Sequence, residues 1–273
     1  MTVNTSSDGV SPTTEVLILG CGVVGVLAGN AMVQQGLRVH GVRRQPDPQA
    51  GADFPITAGD IAATSWWTAQ TQVPARILLC ANPGLRRGRD NGLAAAAQAV
   101  ARFAPHCRLV YTGSSAVYAD AAGAAADEQA PVAADDPAIA GLLAIEQAVA
   151  QVPDHLILRV TALIGPTRTH VQERLARGER TIRGDPERPF SYVHEADAAA
   201  IAVRAITGAL GRGVLNVAAP EQMTVRDYYQ RLAHGLGLTV ELSGDGAGLP
   251  ARRIAAEQLY QYLPNFSWRA FDA

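Results

Sequence analysis

Lysine is missing altogether. Every one of the 23 basic side chains in these 273 residues is an arginine. Arginine in place of lysine, alongside abundant alanine, is the usage of GC-rich genes, but the chemical consequence does not depend on the cause: no side-chain ammonium is available to any reaction. Cysteine is sparse too. Cys21, Cys80 and Cys107 lie in or beside apolar stretches, without the spacing of a zinc site or the density of a disulfide framework. No metal is therefore expected, and a reducing cytoplasm is the expected location. A formal net charge of -2 and a pI near 6.3 provide no positive field for a nucleic-acid backbone, so nucleic acid is not an expected partner. No apolar run approaches the roughly 20 residues of a membrane-spanning helix, so none is expected with a membrane either. The first fourteen residues, MTVNTSSDGVSPTT, lack the basic start and apolar segment of a secretory signal and read as a flexible tail. No internal repeat is visible.

What is present is alternation. Apolar runs of four to six residues recur: VLIL at 16–19, LRVHGV at 37–42, RILLC at 76–80, RLVYT at 108–112 and HLILRV at 155–160. Between them lie helical stretches at 24–35, closed by Gly36, and at 92–103 and 138–152, the last two rich in alanine. Short buried strands alternating with helices imply a parallel sheet covered on both faces. The expected fold class is α/β: a Rossmann-type doubly wound parallel sheet at 15–165 with a small C-terminal substrate lobe at 166–273. Segments near 190–218 are expected to return to the sheet, in a strand and helix with Asp197 near the helix start. A further helix is expected after Thr224, a good cap. The alanine-rich helices suit either packing on the sheet or a homodimer.

The run EVLILGCGVVG places Gly20, Gly22 and Gly25 between a strand and a helix. The first glycine allows a tight turn, the second admits a pyrophosphate to the backbone, and the third lets the helix pack close to the strand. Gly20, Cys21, Gly22, Val23, Val24 and Gly25 are thus candidate cofactor residues, with the helix amino end offering N–H groups to phosphate. The second strand runs into Arg43 and Arg44, where an NAD site would carry an acid. Arginine there suits a 2′-phosphate, which favours NADP(H) over NAD(H). Gly59-Asp60-Ile61 reads either as a contact to adenine through Asp60 and Ile61 or as a plain turn.

Six stretches in order, the glycine fingerprint, GDI, YTGSSAVY (111–118), LRVTALIGPTR (158–168), FSYVHEADAA (190–199) and GVLNVAAPE (213–221), resemble the extended short-chain dehydrogenase/reductases, or NAD-dependent epimerase/dehydratase family. The likeness runs from about residue 15 to the end, and RRIAAEQL (252–259) resembles an element of an atypical subgroup, with Arg252 for lysine. The resemblance implies that the Ser114 hydroxyl meets a substrate oxygen, that Ala81 and Asn82 join the cofactor set, and that Ser115, Arg168 and Tyr192 serve the substrate. It also implies a Tyr-x-x-x-Lys dyad, which this chain departs from: aligned on Glu146, Ala138 and Leu142 stand in its places, and no lysine exists to supply it elsewhere. Tyr118, Tyr192 and His194 are the candidates to replace it, each with packing beside the site as the alternative. The expected function is an NADP-dependent oxidoreductase, epimerase or dehydratase acting on a small polar metabolite, a sugar nucleotide or a biosynthetic intermediate, by a non-standard proton route. The alternatives are a non-catalytic NADP-binding sensor and a non-redox use of the fold.

Overall fold

The computed structural model describes residues 13–47, 51–85 and 88–271, so all but the last two residues of the expected tail lie outside the described residues. The chain begins with β1 (Val16–Leu19), whose four side chains have no exposed surface, as expected of a central parallel strand covered on both faces. A glycine turn leads into α1 (Val23–Gln34). That helix stops where Gly36 adopts φ +84°, with the Gly36 and Leu37 amides donating to the Val33 and Met32 carbonyls.

There follow β2 (Val39–Arg43), β3 (Ile56–Ala58), α2 (Thr64–Thr68), β4 (Arg76–Leu79), α3 (Leu93–Phe103), β5 (Arg108–Ser114), β6 (Ala125–Ala126), α4 (Pro137–Val149) and β7 (His155–Val160). The remainder comprises β8 (Ala162–Ile164), α5 (His170–Ala176), β9 (Thr181–Ile182), β10 (Tyr192–His194), α6 (Glu195–Ile206), β11 (Gly213–Val217), α7 (Val225–Gly235), β12 (Ser243–Gly244), β13 (Arg253–Ile254) and α8 (Glu257–Tyr262). Seven strands form one parallel sheet in the order β3-β2-β1-β4-β5-β7-β11. The chain moves outward from β1 to β3 and then returns to β4, so the switch point lies between the carboxyl ends of β1 and β4. This is the Rossmann-type α/β fold that the alternation implies.

The second strand starts two residues later than the run LRVHGV suggests and takes in Arg43. Leu37 and Arg38 belong to the connection, where the Arg38 amide donates to the Glu15 carboxylate at 3.1 Å. Three two-stranded pairings, β8 with β10, β9 with β12 and β6 with β13, have no periodicity long enough to be read from sequence.

The chain divides into two compact units. One comprises the described residues up to Gly113, Asp136–Leu158 and Ala199–Val214; the other comprises Ser114–Asp135, Arg159–Ala198 and the residues from Leu215 onward. The division therefore recurs along the chain. Each segment of the second unit begins at or within the last residues of a sheet strand.

In the first unit α1 packs closely on the sheet because Gly29 and Gly41 leave room for the Phe54 ring. The second unit has its own core, in which Phe190 stacks on Tyr228 at 4.4 Å, with Leu175, Ile182 and Leu232 around them. Thr224 caps α7 as expected, in a reciprocal capping box with Asp227.

Candidate functional site

In the first unit the glycine turn sits at the switch point, and each glycine has a distinct reason. Gly20 has φ +93°, and a Cβ there would lie within 2.6 Å of the Ala81 backbone nitrogen, so the turn after β1 and the end of β4 meet with no room for a side chain. A Cβ on Gly25 would come within 2.9 Å of the Gly20 carbonyl oxygen. Gly22 has nothing within 4 Å of its missing Cβ and is exposed, so the space beside it is open. It is also the N-cap of α1, and neither a side-chain cap nor an acidic residue competes for the first-turn N–H groups. That is an anion-accepting helix end.

Val23 and Val24 are half-buried, and Cys21 is buried with its thiol pushed up to about 12, chiefly by that burial. Cys21 therefore contributes backbone rather than sulfur chemistry: its carbonyl accepts from the Arg43 guanidinium at 3.3 Å. Arg43, the last residue of β2, is thus held against the glycine turn, while Arg44 is exposed. Asn82 ties the loop after β4, its side-chain oxygen accepting from the Gly84 amide and its carbonyl from Asn91. Asp60 is exposed; one carboxylate oxygen accepts from the Ala62 amide, and the Ile61 carbonyl accepts from Trp67.

In α4 of the same unit, Leu142 and Glu146 are buried and Ala138 half-buried, with Asp136 capping the helix through the Ala138 amide. These small and apolar positions leave no acid or base where the dyad is expected.

In the second unit the candidate groups are largely engaged. Ser114 Oγ accepts from the Ala116 amide at 3.2 Å, which opens a single 3-10 turn at Ser115–Val117 and leaves the hydroxyl proton to donate. Ser115 is half-buried. The Tyr118 hydroxyl donates to the side-chain oxygen of Asn216 at 2.7 Å, beneath the Arg159 guanidinium 4.8 Å from its ring centroid. Asn216, fully buried, spends its amide on the Ala126 and Ala255 carbonyls.

Tyr192 donates to the Glu221 carboxylate, which pairs with Arg231 at 2.6 Å. Burial raises the pKa of both tyrosines, and for Tyr192 the Glu221 carboxylate adds to the effect. Neither is a base near neutral pH in this environment. His194 differs: it is half-buried, and its Nδ1 accepts from the Ala196 amide at 3.1 Å, so the neutral ring carries its proton on Nε2.

Arg168 faces Glu195, which is 2% exposed, at 3.4 Å; the same carboxylate accepts from the Thr167 hydroxyl at 2.5 Å, and Gly165 makes room for it. Its charge is therefore already matched. Arg188 is the contrast. Its Nε, like that of Arg168, is buried with no hydrogen-bond partner, but this half-buried guanidinium has no ion-pair partner among the described residues, and burial lowers its pKa. Glu195, Asn216 and Glu221 were missed, because only their distant partners mark them. Asp197, also almost fully buried, accepts from both the backbone amide and the guanidinium of Arg269.

Among the described residues there is no group of three His, Cys, Asp or Glu side chains placed to hold a metal, and no helix is long and apolar enough to cross a membrane. No protein-family profile and no curated protein matches the chain. Solved structures do. The Bordetella bronchiseptica enzyme WbmH in complex with NAD+ is similar at 16% identity over 94% of each chain, with a TM-score of 0.75. UDP-N-acetylglucosamine 4-epimerase from Bacillus cereus shares 15% identity over 93% of this chain and 94% of its own, with a TM-score of 0.75. The dTDP-glucose 4,6-dehydratase of Bacillus anthracis str. Ames, in complex with NAD, shares 16% identity over 92% and 90%, with a TM-score of 0.74. Over nearly its whole length the chain has the fold of the NAD-dependent epimerase/dehydratase structures, the extended short-chain dehydrogenase/reductases.

Proposed function

We propose that this protein is a nicotinamide-dinucleotide-dependent enzyme of the oxidoreductase, epimerase or dehydratase type, preferring NADP(H) to NAD(H) and acting on a small anionic metabolite such as a sugar nucleotide. The observation that carries this reading is the glycine turn. An open Gly22 caps an acid-free helix end at the switch point, with Arg43 fixed beside it through the Cys21 carbonyl. The first-turn amides hold the pyrophosphate, and Arg43, with Arg44 next to it, takes the 2′-phosphate where an acid would repel it. When bound, the dinucleotide supplies a hydride donor or acceptor.

The substrate's anionic group is assigned to Arg188, a half-buried guanidinium with no ion-pair partner among the described residues. Arg168 is less suited, since Glu195 already neutralises it. Ser114 donates its hydroxyl proton in a hydrogen bond to a substrate oxygen, and the His194 Nε2–H, unlike the engaged Tyr118 and Tyr192 hydroxyls, is left to donate a second one. Similar folds that bind NAD or act on nucleotide sugars support the substrate class.

The test has two stages. Thermal melting with NADP+ and NAD+ is expected to show a larger rise for NADP+, with Arg43→Ala removing the difference. NADPH oxidation or sugar-nucleotide conversion is then measured across a panel, with Arg188→Ala expected to raise KM for phosphate-bearing substrates about tenfold or more. If neither dinucleotide raises the melting temperature, the reading fails. A non-catalytic sensor is favoured by the engagement of both tyrosines and the lack of lysine. Tight NADP(H) binding with no turnover of any substrate establishes that second reading.

A further inference from the structure

The turn Gly59–Asp60–Ile61 is clamped from both sides. The Gly59 amide donates to the Arg43 carbonyl at 3.1 Å, tying the turn to β2. The peptide between Ile61 and Ala62 is fixed at both ends: its carbonyl accepts the Trp67 indole N–H at 2.8 Å, and its amide donates to Asp60 Oδ1 at 3.1 Å. Trp67 is itself immobilised, 2% exposed, stacked on Phe103 at 6.1 Å and edge-on to Trp66 at 4.9 Å. Trp66 closes the far side, where a Cβ on Gly59 would lie 2.5 Å from the indole nitrogen.

Two polar groups are left over. The second Asp60 carboxylate oxygen and the Ile61 amide have no partner among the described residues. An acceptor followed by a donor complements the amino group and N1 of adenine. It opposes hypoxanthine, which presents an oxygen and an N–H at the same edge.

We propose that Trp67 is a positioning residue: by holding the Ile61 carbonyl it orients the Asp60 and Ile61 groups and so sets this protein's preference for adenine in its dinucleotide. The proposal rests on the dinucleotide-binding reading above. A turn whose peptide plane is fixed before binding discriminates through the mismatch of its polar groups, whereas a loose turn adapts to either base.

The test compares NADP+ with its hypoxanthine analogue by calorimetric titration of the full chain. Wild type is expected to prefer the adenine form about tenfold or more. Trp67→Phe, which keeps the ring and loses the N–H, is expected to bring the two affinities close together by weakening adenine binding alone. Thr68→Ala, on the same helix but exposed, is expected to leave the ratio unchanged.

A Trp67→Phe variant that weakens both ligands equally, or keeps the wild-type ratio, overturns the proposal. So does a wild type with no base preference, although dinucleotide binding then stands. No binding of either ligand by wild type removes the dinucleotide reading and this inference together. If Trp67→Phe does not fold, Phe103→Leu, which removes the ring stacked on Trp67, must lower the ratio; an unchanged ratio overturns the proposal.

Discussion

The two units of this protein hold their polar groups in opposite ways. In the first, the candidate site is made of backbone: a glycine turn, an uncapped helix end and a tethered Arg43, with space left open at Gly22. In the second, most candidate side chains already have partners within the unit: Tyr118 on Asn216, Tyr192 on Glu221 and Arg168 on Glu195. A backbone site of this kind is left for a ligand, since no described side chain caps it. A side-chain network largely satisfies itself, and the groups left without a hydrogen-bond partner among the described residues, the Arg168 and Arg188 Nε atoms and the His194 Nε2, are its exceptions. The first unit is therefore assigned by what it lacks and the second by what is left over.

The strongest way to break that comparison is Gly20→Ala. With φ at +93° and the Ala81 backbone within 2.6 Å of the added Cβ, the substitution combines backbone strain with overpacking. A loss of about 3 kcal/mol in urea unfolding is expected, together with loss of dinucleotide binding. Retained binding would show that the turn is not the site. Next is Asn216→Ala, which leaves the Tyr118 hydroxyl and two carbonyls without their buried partner. About 2 kcal/mol of stability is expected to be lost with dinucleotide binding unchanged, since the network is structural.

The smallest effect is on pH dependence, and it separates the units by range. Burial lowers the pKa of His40, in the first unit, below the ordinary 6.5. The unfolded chain then takes up a proton there before the folded one does, so this contribution to stability is present above about pH 6.5 and is lost as pH falls through the folded value. Glu221, in the second unit, is held below the ordinary carboxylate value first by Arg231 and then by Tyr192. Its contribution is present above about pH 4.3 and is lost at still lower pH. Melting curves across pH should show His40→Gln flattening the upper part of the acid decline and Glu221→Gln the lower part. Identical profiles for both variants would count against the assignment.

The same contrast explains what could be read from sequence. The strands and the glycine turn are local patterns, so β1, α1 and the end of β2 at Arg43 were legible to within a residue. Tyr118 and Tyr192 were legible as positions but not as environments. The Tyr118 partner lies 98 residues away and the Tyr192 partner 29, and no spacing rule links such pairs. Glu195 was invisible for a similar reason: its room depends on Gly165, thirty residues earlier, which read only as part of a turn. Trp66 and Trp67 carry no motif, and their bearing on the Gly59–Asp60–Ile61 turn emerges only once α2 is placed against it.

Arg269 gives the far end of the chain a meaning for protein engineering. Its side chain and its backbone amide both serve Asp197, a carboxylate with 1% of its surface exposed. Shortening the chain to Trp268 would remove both donors at once and strand a desolvated charge at the start of α6. Residues near 269 are thus a poor place to trim, and an affinity tag belongs after them or at the opposite end.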